Sequence, residues 1–178
     1  MDLKNKKVLF VISSKNFRDE ELLEPKELLE GYGANTLVVN ENGKESLGML
    51  GTRIEPSMSL NKVSIGEYDA VVFVGGSGSS IYWNDKNALN VAKEAYIKGK
   101  VVAAICLASG TLANSGLCKG KKITGWQDTK EIIEKNGGIY TGNDLEISGR
   151  LITASGPKAA KKFGEAIAKV LGYGSFQR

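Results

Sequence analysis

The sequence predicts one α/β domain, built on a doubly wound, mostly parallel sheet with helices on both faces. Short apolar segments rich in valine and isoleucine alternate along the chain with segments of helical periodicity. The apolar segments are nearly continuous in hydrophobicity, which is typical of strands buried on both faces of a parallel sheet. A chain of 178 residues is long enough for one domain with a sizeable core. We therefore expect the domain at residues 1–172 and a C-terminal tail at residues 173–178, either disordered or part of an oligomer contact.

Strands and helices follow one another in the order that such a sheet requires. The expected buried strands lie at residues 7–12, 35–40, 69–76 and 101–106. The first helix contains Pro25, which should remove one backbone hydrogen bond and kink the helix. The second helix is expected to begin after an Asp85 cap and to end at Gly99. The last helix has Pro157 at its first position.

Two segments interrupt the alternation. Residues 48–60 are punctuated by glycine, which predicts a short hairpin or loop off the main sheet. Their apolar side chains could either contact a second subunit or cover the edge of the sheet. Residues 144–155 contain two strand-like pieces around Ser148 and Gly149, which indicates a second hairpin.

The composition is that of a globular protein. Hydrophobic residues make up 42% of the chain and charged residues 25%, and the net charge is +4. The densest basic run, residues 119–122, falls where a loop is expected, so we expect no nucleic-acid partner. No apolar stretch approaches the roughly 18 residues of a membrane span, so we expect no membrane partner. The apolar residues near the N-terminus fit a first strand better than a signal peptide.

The two cysteines, Cys106 and Cys118, show no metal-ligand spacing. Their number predicts a reducing compartment, the cytoplasm, with no disulfide framework and no metal site. The glycine-rich stretch at residues 75–81 follows a strand but lacks the third glycine of a dinucleotide fingerprint. We therefore expect no cofactor.

Cys106 is the first candidate for chemistry. It ends a predicted buried strand and begins a helix crowded with small residues. In open α/β sheets, ligands bind beyond the carboxyl ends of the strands, and a sharp strand-to-helix turn presents a nucleophile there. Unpaired N–H groups at the start of a helix also favour a thiolate. The alternative is a structural role, because free cysteine is among the most buried residue types.

Four stretches, in this order and spacing, resemble the DJ-1/PfpI superfamily over nearly the whole chain. They are KVLFVIS…FRDEELLEP, YDAVVFVGGSG, VVAAICLASGTLANSGLCKGKKIT and LITASGPKAAKKFGEAIAKVL. The resemblance implies a flavodoxin-like, class I glutamine amidotransferase-like fold with its reactive cysteine, here Cys106, on a nucleophile elbow. It also implies that Glu21, counted back from Pro25, approaches the sulfur. The N–H groups of Gly75 and Gly76 would line the same pocket as oxyanion donors.

Glu21 also has an ordinary explanation, because acidic residues in the first turn of any helix are stabilised by the helix dipole. Glu20 is the alternative if the register is shifted by one residue. A carboxyl group beside a thiolate in a dry pocket should be protonated, since two adjacent negative charges are costly. It would then donate a hydrogen bond to the sulfur and lower the thiol pKa without an imidazole.

The chain departs from the family pattern around the cysteine. Positions where relatives have histidine are Leu107 and Trp126 here, and the chain contains no histidine at all. A Cys–His dyad is therefore excluded, both within one chain and across a homodimer interface. Ser155 replaces an arginine of some relatives, which weakens the case for anion binding. Trp126 could fill the pocket or be an ordinary core or interface aromatic, and Cys118 is expected to be a small core residue rather than a resolving thiol.

The residues leave several functions open. Cys106 could add to an α-oxoaldehyde such as methylglyoxal, as the resemblance to glyoxalase- and deglycase-type relatives implies, with Glu21 moving the proton. Cys106 could instead be oxidised by peroxide without turnover, as in a redox sensor. A catalytically silent homodimer is the third alternative, and peptide hydrolysis is disfavoured. The expected partners are thus a small carbonyl compound or peroxide and, since members of the superfamily commonly assemble, a second copy of the chain.

Overall fold

The computed structural model describes residues 1–173. The last helix ends at Tyr173, and the rest of the expected tail, residues 174–178, lies outside the described residues. In the described part of the chain, no helix combines the length and the apolar character needed to cross a bilayer.

The main sheet has seven strands. The helices are α1 (Asp19–Gly31), α2 (Lys86–Ile97), α3 (Ser109–Asn114), α4 (Lys130–Lys135) and α5 (Ala160–Tyr173). The strands are β1 (Lys7–Val11), β2 (Lys15–Phe17), β3 (Asn35–Asn40), β4 (Ser46–Gly48), β5 (Arg53–Ile54), β6 (Met58–Ser59), β7 (Ala70–Phe73), β8 (Val101–Ile105), β9 (Lys122–Ile123), β10 (Ile139–Tyr140), β11 (Leu145–Ser148) and β12 (Leu151–Ala154). Their order in the main sheet is β11-β12-β8-β7-β1-β3-β6, and only the β11–β12 pair is antiparallel. The predicted doubly wound, mostly parallel sheet is confirmed.

Two cores lie on opposite faces of this sheet. Along β1, Val8 and Phe10 belong to the core under α1 and α5, whereas Leu9 and Val11 belong to the core under α2, α3 and α4. Successive side chains of a strand point to opposite faces, so a strand covered on both sides must be apolar at every position. This packing explains the continuous hydrophobicity of the predicted strands.

The helix ends follow the predicted signals. Asp85 caps α2 by accepting a hydrogen bond from the Ala88 N–H at 2.8 Å, and Gly99 follows the helix with a φ of +70°. Pro157 opens a short 3₁₀ turn that leads into α5, rather than opening the α-helix itself. Helix α1 is continuous through Pro25, which is buried against Gly164 of α5. The kink at Pro25 stays a prediction.

Both predicted hairpins are present. Strands β4 and β5 are antiparallel and form a separate three-stranded sheet with β2. Strands β11 and β12 are also antiparallel, and Gly149 adopts a φ of +63° in the turn between them. Residues 48–60 do not lie wholly off the main sheet as predicted, because β6 (Met58–Ser59) pairs with β3 at the edge of that sheet.

Candidate functional site

Cys106 lies on a strand-to-helix turn at the carboxyl end of β8. It begins a 3₁₀ turn, Cys106–Ala108, that continues directly into α3. Its φ is +61°, a left-handed conformation that costs a residue other than glycine roughly 1–2 kcal/mol. Strained backbone of this kind is concentrated at functional sites. Residue Cys106 is 7% exposed, so the site is almost closed to solvent.

Glu21 lies beside Cys106, in the first turn of α1. Its side chain is fully buried, although Glu20, the residue before it on the helix, carries its carboxylate toward solvent. A Cβ atom on Gly75 would lie 2.3 Å from Glu21 Oε2 and 2.7 Å from Cys106 Cβ, so these three residues meet at one point. The expected partner of the cysteine is therefore in place.

Glu20 does not take this role. Its carboxylate accepts two hydrogen bonds from the guanidinium of Arg18, at 2.8 Å and 3.0 Å. This pairing with Arg18 lowers the pKa of Glu20, and both side chains are partly exposed. The alternative register, with Glu20 beside the sulfur, is wrong.

Burial raises the pKa of Glu21 to about 8. The Cys106 thiol and the Gly75 N–H are close enough to lower this pKa, but they offset only part of the desolvation. Among the described residues, neither carboxyl oxygen has a hydrogen-bond partner of normal geometry. Glu21 is thus mostly protonated at neutral pH, as a carboxyl group in a dry pocket should be.

The thiol pKa differs from the expectation. Burial, and then the negative charge of Glu21, raise the pKa of Cys106 to about 12, and the N–H groups of Leu107 and Gly76 lower it only in part. The expected low pKa is wrong for this structure, because two N–H dipoles do not outweigh desolvation. Protonation of Glu21 removes the opposing charge, so the sulfur ionises most easily when the pair carries one negative charge in total.

The backbone N–H groups around the pair divide between its two members. Gly75 directs its N–H toward Glu21, whereas Gly76 and Leu107 direct theirs toward the sulfur. The resemblance implies two glycine N–H donors in one pocket, and the structure adds a third backbone donor, the N–H of Leu107. Gly76 has a φ of +101°, and a Cβ atom there would lie 2.4 Å from the backbone nitrogen of Arg18. Only glycine fits this position.

Trp126 and Cys118 occupy different surroundings. The Trp126 ring packs against Gly156, where a Cβ atom would lie 3.2 Å from Cε3, and the side chain is 42% exposed. The ring therefore lies on the backbone next to Ser155, and its expected role of filling the Cys106 pocket stays a prediction. Cys118 is fully buried in the core under α2, α3 and α4, the position expected of a small core residue. Burial raises its pKa to about 12.

Trp83 is a neighbour of the site that the sequence analysis does not single out. Its indole Nε1–H donates a hydrogen bond to the carbonyl oxygen of Leu107 at 2.8 Å. The two residues are far apart in the sequence, and no local motif connects them. Within the described chain, no group of three or more acidic or cysteine side chains is arranged to hold a metal ion.

The fold and the site together define a class: an α/β protein with a cysteine on the turn after a central parallel strand and a buried carboxyl group beside it. The model of the DJ-1/PfpI family matches residues 6–170, and the chain belongs to this family.

Three similar proteins illustrate the range of the family. An uncharacterized protein of Methanocaldococcus jannaschii is 41% identical over 173 residues, covering 96% of this chain and 84% of the relative. A deglycase of Pyrococcus horikoshii is 25% identical over 151 residues, covering 85% of this chain and 90% of the relative. The crystal structure of a ThiJ/PfpI domain protein from Brachyspira murdochii superposes with a TM-score of 0.92 at 29% identity, covering 97% of this chain and 99% of that one.

Proposed function

We propose that this protein is a thiol-dependent enzyme that converts small α-oxoaldehydes, such as methylglyoxal, with Cys106 as the nucleophile. The observation that carries the proposal is the buried contact between the carboxyl group of Glu21 and the side chain of Cys106. Gly75 lies against both side chains, and there is no room there for a larger residue. Family relatives named deglycases support the same class of carbonyl chemistry.

The first step is addition of the sulfur to the aldehyde carbon. A C–S bond forms, the π electrons of the carbonyl group move to its oxygen, and Glu21 delivers its proton to that oxygen to give a hemithioacetal. The attacking form is the pair with a single negative charge, in which the thiol proton has passed to Glu21 and the N–H groups of Leu107 and Gly76 stabilise the charge on the sulfur. A carboxyl group that is protonated at neutral pH can serve as the acid in this step.

The second step needs a base, and Glu21 is now a carboxylate. It takes the proton from the former aldehyde carbon and returns it to the neighbouring carbon, while the hydroxyl proton of the former aldehyde carbon moves to the oxygen of the neighbouring carbon. The two transfers convert the hemithioacetal into a thioester. Water then cleaves the thioester, releasing a 2-hydroxy acid and the free thiol. The sum is oxoaldehyde plus water to 2-hydroxy acid, so no oxidant or reductant is consumed. A pKa of about 8 suits a group that must both give and accept a proton near neutral pH.

The test is the consumption of methylglyoxal, with lactate measured as product. We expect Cys106→Ser to abolish turnover and Cys118→Ser to retain it, because Cys118 lies in the core. Glu21→Gln should lose most of the turnover because the amide cannot transfer the proton. Turnover that is unchanged in Cys106→Ser would contradict the proposal.

A second candidate function is oxidation of Cys106 by peroxide without turnover, as in a redox sensor. The observation that favours it is the pair of buried Glu21 oxygens, which have no hydrogen-bond partner of normal geometry among the described residues. Two molecules of hydrogen peroxide convert the thiol to a sulfinic acid and leave two molecules of water, and a sulfinate oxygen would accept the Glu21 proton. Mass spectrometry should find two added oxygens on Cys106 before any on Cys118. The reverse order would count against this function.

We also propose that the protein is a homodimer in the cytoplasm. Leu47, Met49 and Leu50 on the β4–β5 hairpin are 43%, 43% and 64% exposed, which supports an apolar contact with a second copy. Two free cysteines fit a reducing compartment. Light scattering should give twice the monomer mass for the wild type and the monomer mass for Leu50→Lys, and a monomeric wild type would contradict the dimer.

A further inference from the structure

Trp83 contacts the Cys106 turn and the helix that follows it. Its indole N–H donates to the Leu107 carbonyl oxygen at 2.8 Å, and its own carbonyl oxygen accepts a hydrogen bond from Asn114 Nδ2 at 2.7 Å. Leu107 lies next to the cysteine, and Asn114 is the last residue of α3. Trp83 therefore connects to both ends of the short segment that begins at the sulfur.

Gly110 makes room for this indole. A Cβ atom on Gly110 would lie 2.4 Å from Trp83 Cε2 and 2.5 Å from Trp83 Nε1, distances that no real side chain tolerates. The ring consequently lies directly on the backbone of α3, one turn after Cys106. Side chains of this size, packed on backbone and hydrogen-bonded at the ring nitrogen, have little freedom to move.

We infer that Trp83 is a positioning residue for Cys106: by holding the Leu107 carbonyl group it keeps the left-handed turn in place and the Leu107 N–H aimed at the sulfur. The inference deepens the proposed function, since it names the side chain that orients the proposed nucleophile. Cys106 has a φ of +61°, and a strained residue persists only where its surroundings fix it. The hydrogen bond from Trp83 is one such constraint.

The segment that carries Trp83 holds the sulfur from a second side. It begins at Gly76, whose N–H is the other backbone group directed at Cys106. The Ser79 hydroxyl donates to the Gly76 carbonyl oxygen at 2.8 Å, and the backbone N–H of Trp83 donates to the Ser80 carbonyl oxygen at 3.1 Å. These hydrogen bonds within the segment stabilise its conformation. The segment that contributes the Gly76 N–H thus also contributes the Trp83 side chain, which holds Leu107, the residue of the other N–H group.

The experiment measures the rate at which iodoacetamide alkylates Cys106, read by mass spectrometry with Cys118 as an internal reference. The sulfur displaces iodide, so the rate reports on the thiolate without any need for turnover. Trp83→Phe keeps an aromatic ring on Gly110 and removes only the N–H donor. We expect the Cys106 rate at pH 7.5 to fall about five- to tenfold, the effect of losing one hydrogen bond, while the midpoint of the pH–rate profile stays near the pKa of Glu21, about 8.

Tyr82→Phe is the matched control. Tyr82, at the neighbouring position of the same segment, also donates a buried hydrogen bond to a backbone carbonyl, that of Ile12 at 2.7 Å, and its hydroxyl lies 3.2 Å from Glu41 Oε2. It should lower stability while leaving the Cys106 rate within about twofold of wild type. Gly110→Ala, which forces the indole off the helix but retains Trp83, should reproduce the loss of reactivity.

The outcomes separate this inference from the proposed function. A wild-type alkylation rate in Trp83→Phe would overturn the positioning role even if methylglyoxal is consumed. An equal loss in Tyr82→Phe would also overturn it, because a general loss of stability would then explain the result. If the wild type consumes no methylglyoxal, the oxoaldehyde proposal is refuted. If Cys106 is nevertheless alkylated more slowly in Trp83→Phe than in the wild type, the positioning role is retained.

Discussion

Glu21 Oε2 and Cys106 Cβ both lie within 2.7 Å of the point where a side chain on Gly75 would begin. The side chains of Glu21 and Cys106 therefore approach each other over Gly75, which has no side chain to separate them. The carbonyl oxygen of Ile105 lies 2.8 Å from the same point, so the strand end closes the remaining side. The space between the two side chains is therefore too small for even one methyl group on Gly75.

Gly75→Ala should disrupt the pair. The added methyl group must displace Glu21, Cys106 or the end of β8, and overpacking of this kind costs about 1–3 kcal/mol. We expect a lower free energy of unfolding in urea and a slower alkylation of Cys106. Gly31→Ala is the matched control, because a Cβ atom there meets nothing within 4 Å and the residue ends a helix. Wild-type stability and reactivity in Gly75→Ala would show that the site is looser than described.

Glu21 makes stability depend on pH in an unusual direction. Burial raises its pKa in the folded protein from 4.5 to about 8. Between these two values the folded state keeps a proton that the unfolded state has lost. The stabilisation is complete below about pH 4.5 and is lost as the pH rises through about 8, at up to about 1.4 kcal/mol per pH unit.

Comparison of the wild type with Glu21→Gln isolates this effect, because the amide does not titrate. The difference in free energy of unfolding, wild type minus variant, should fall steadily from pH 5 to pH 8. Urea titrations at pH 5, 6.5 and 8 measure it, and the same titrations of Glu24→Gln, at an exposed position of the same helix, serve as the control. A constant difference across this range would mean that Glu21 is already ionised in the folded protein.

Much of this site could be predicted from the sequence, because its parts are local or belong to a family pattern. The strand before Cys106 is marked by continuous hydrophobicity, and Glu21 by its spacing from Pro25. The contact of Trp83 with Leu107 could not be predicted, since it joins two segments that only the fold brings together. The thiol pKa could not be predicted either. Whether the pKa is raised or lowered depends on whether desolvation of the sulfur outweighs the two N–H dipoles directed at it. The sequence does not specify how deeply the sulfur is buried.

Asp19 stabilises the β4–β5 hairpin. Its two carboxylate oxygens accept hydrogen bonds from the Leu50 N–H at 2.8 Å and the Thr52 N–H at 2.9 Å. Burial opposes ionisation, but the hydrogen bonds from Thr52 and Leu50 outweigh it, so the pKa of Asp19 lies below its ordinary value. Removal of the carboxylate would leave two backbone donors of the turn unpaired.

Asp19→Ala should therefore destabilise the protein by about 1–3 kcal/mol and expose the hairpin to proteolysis. Because the folded pKa is lowered, the stabilisation is present above the unfolded value and is lost as the pH falls through the folded one. Limited proteolysis with mass spectrometry should locate the first cut between β4 and β5. Asp144→Asn is the control, since Asp144 and its partner Lys162 are both largely exposed and such pairs contribute little. First cuts elsewhere in the chain would contradict the role of Asp19.

The absence of histidine gives the reactivity of Cys106 a distinctive pH profile. The Glu21–Cys106 pair loses its first proton near pH 8, and a fixed fraction of the resulting single charge resides on the sulfur. The alkylation rate of the wild type should thus rise through one step near pH 8 and level off until the thiol itself ionises near 12. No step is expected near the histidine value of about 6.5. Glu21→Gln should lack the step near 8, and Leu107→His should add one near 6.5, which shows that the assay detects such a group. A wild-type step near 6.5 would require an ionisable group beside the sulfur other than Glu21, and the proton transfers assigned to the carboxyl group would then be wrong.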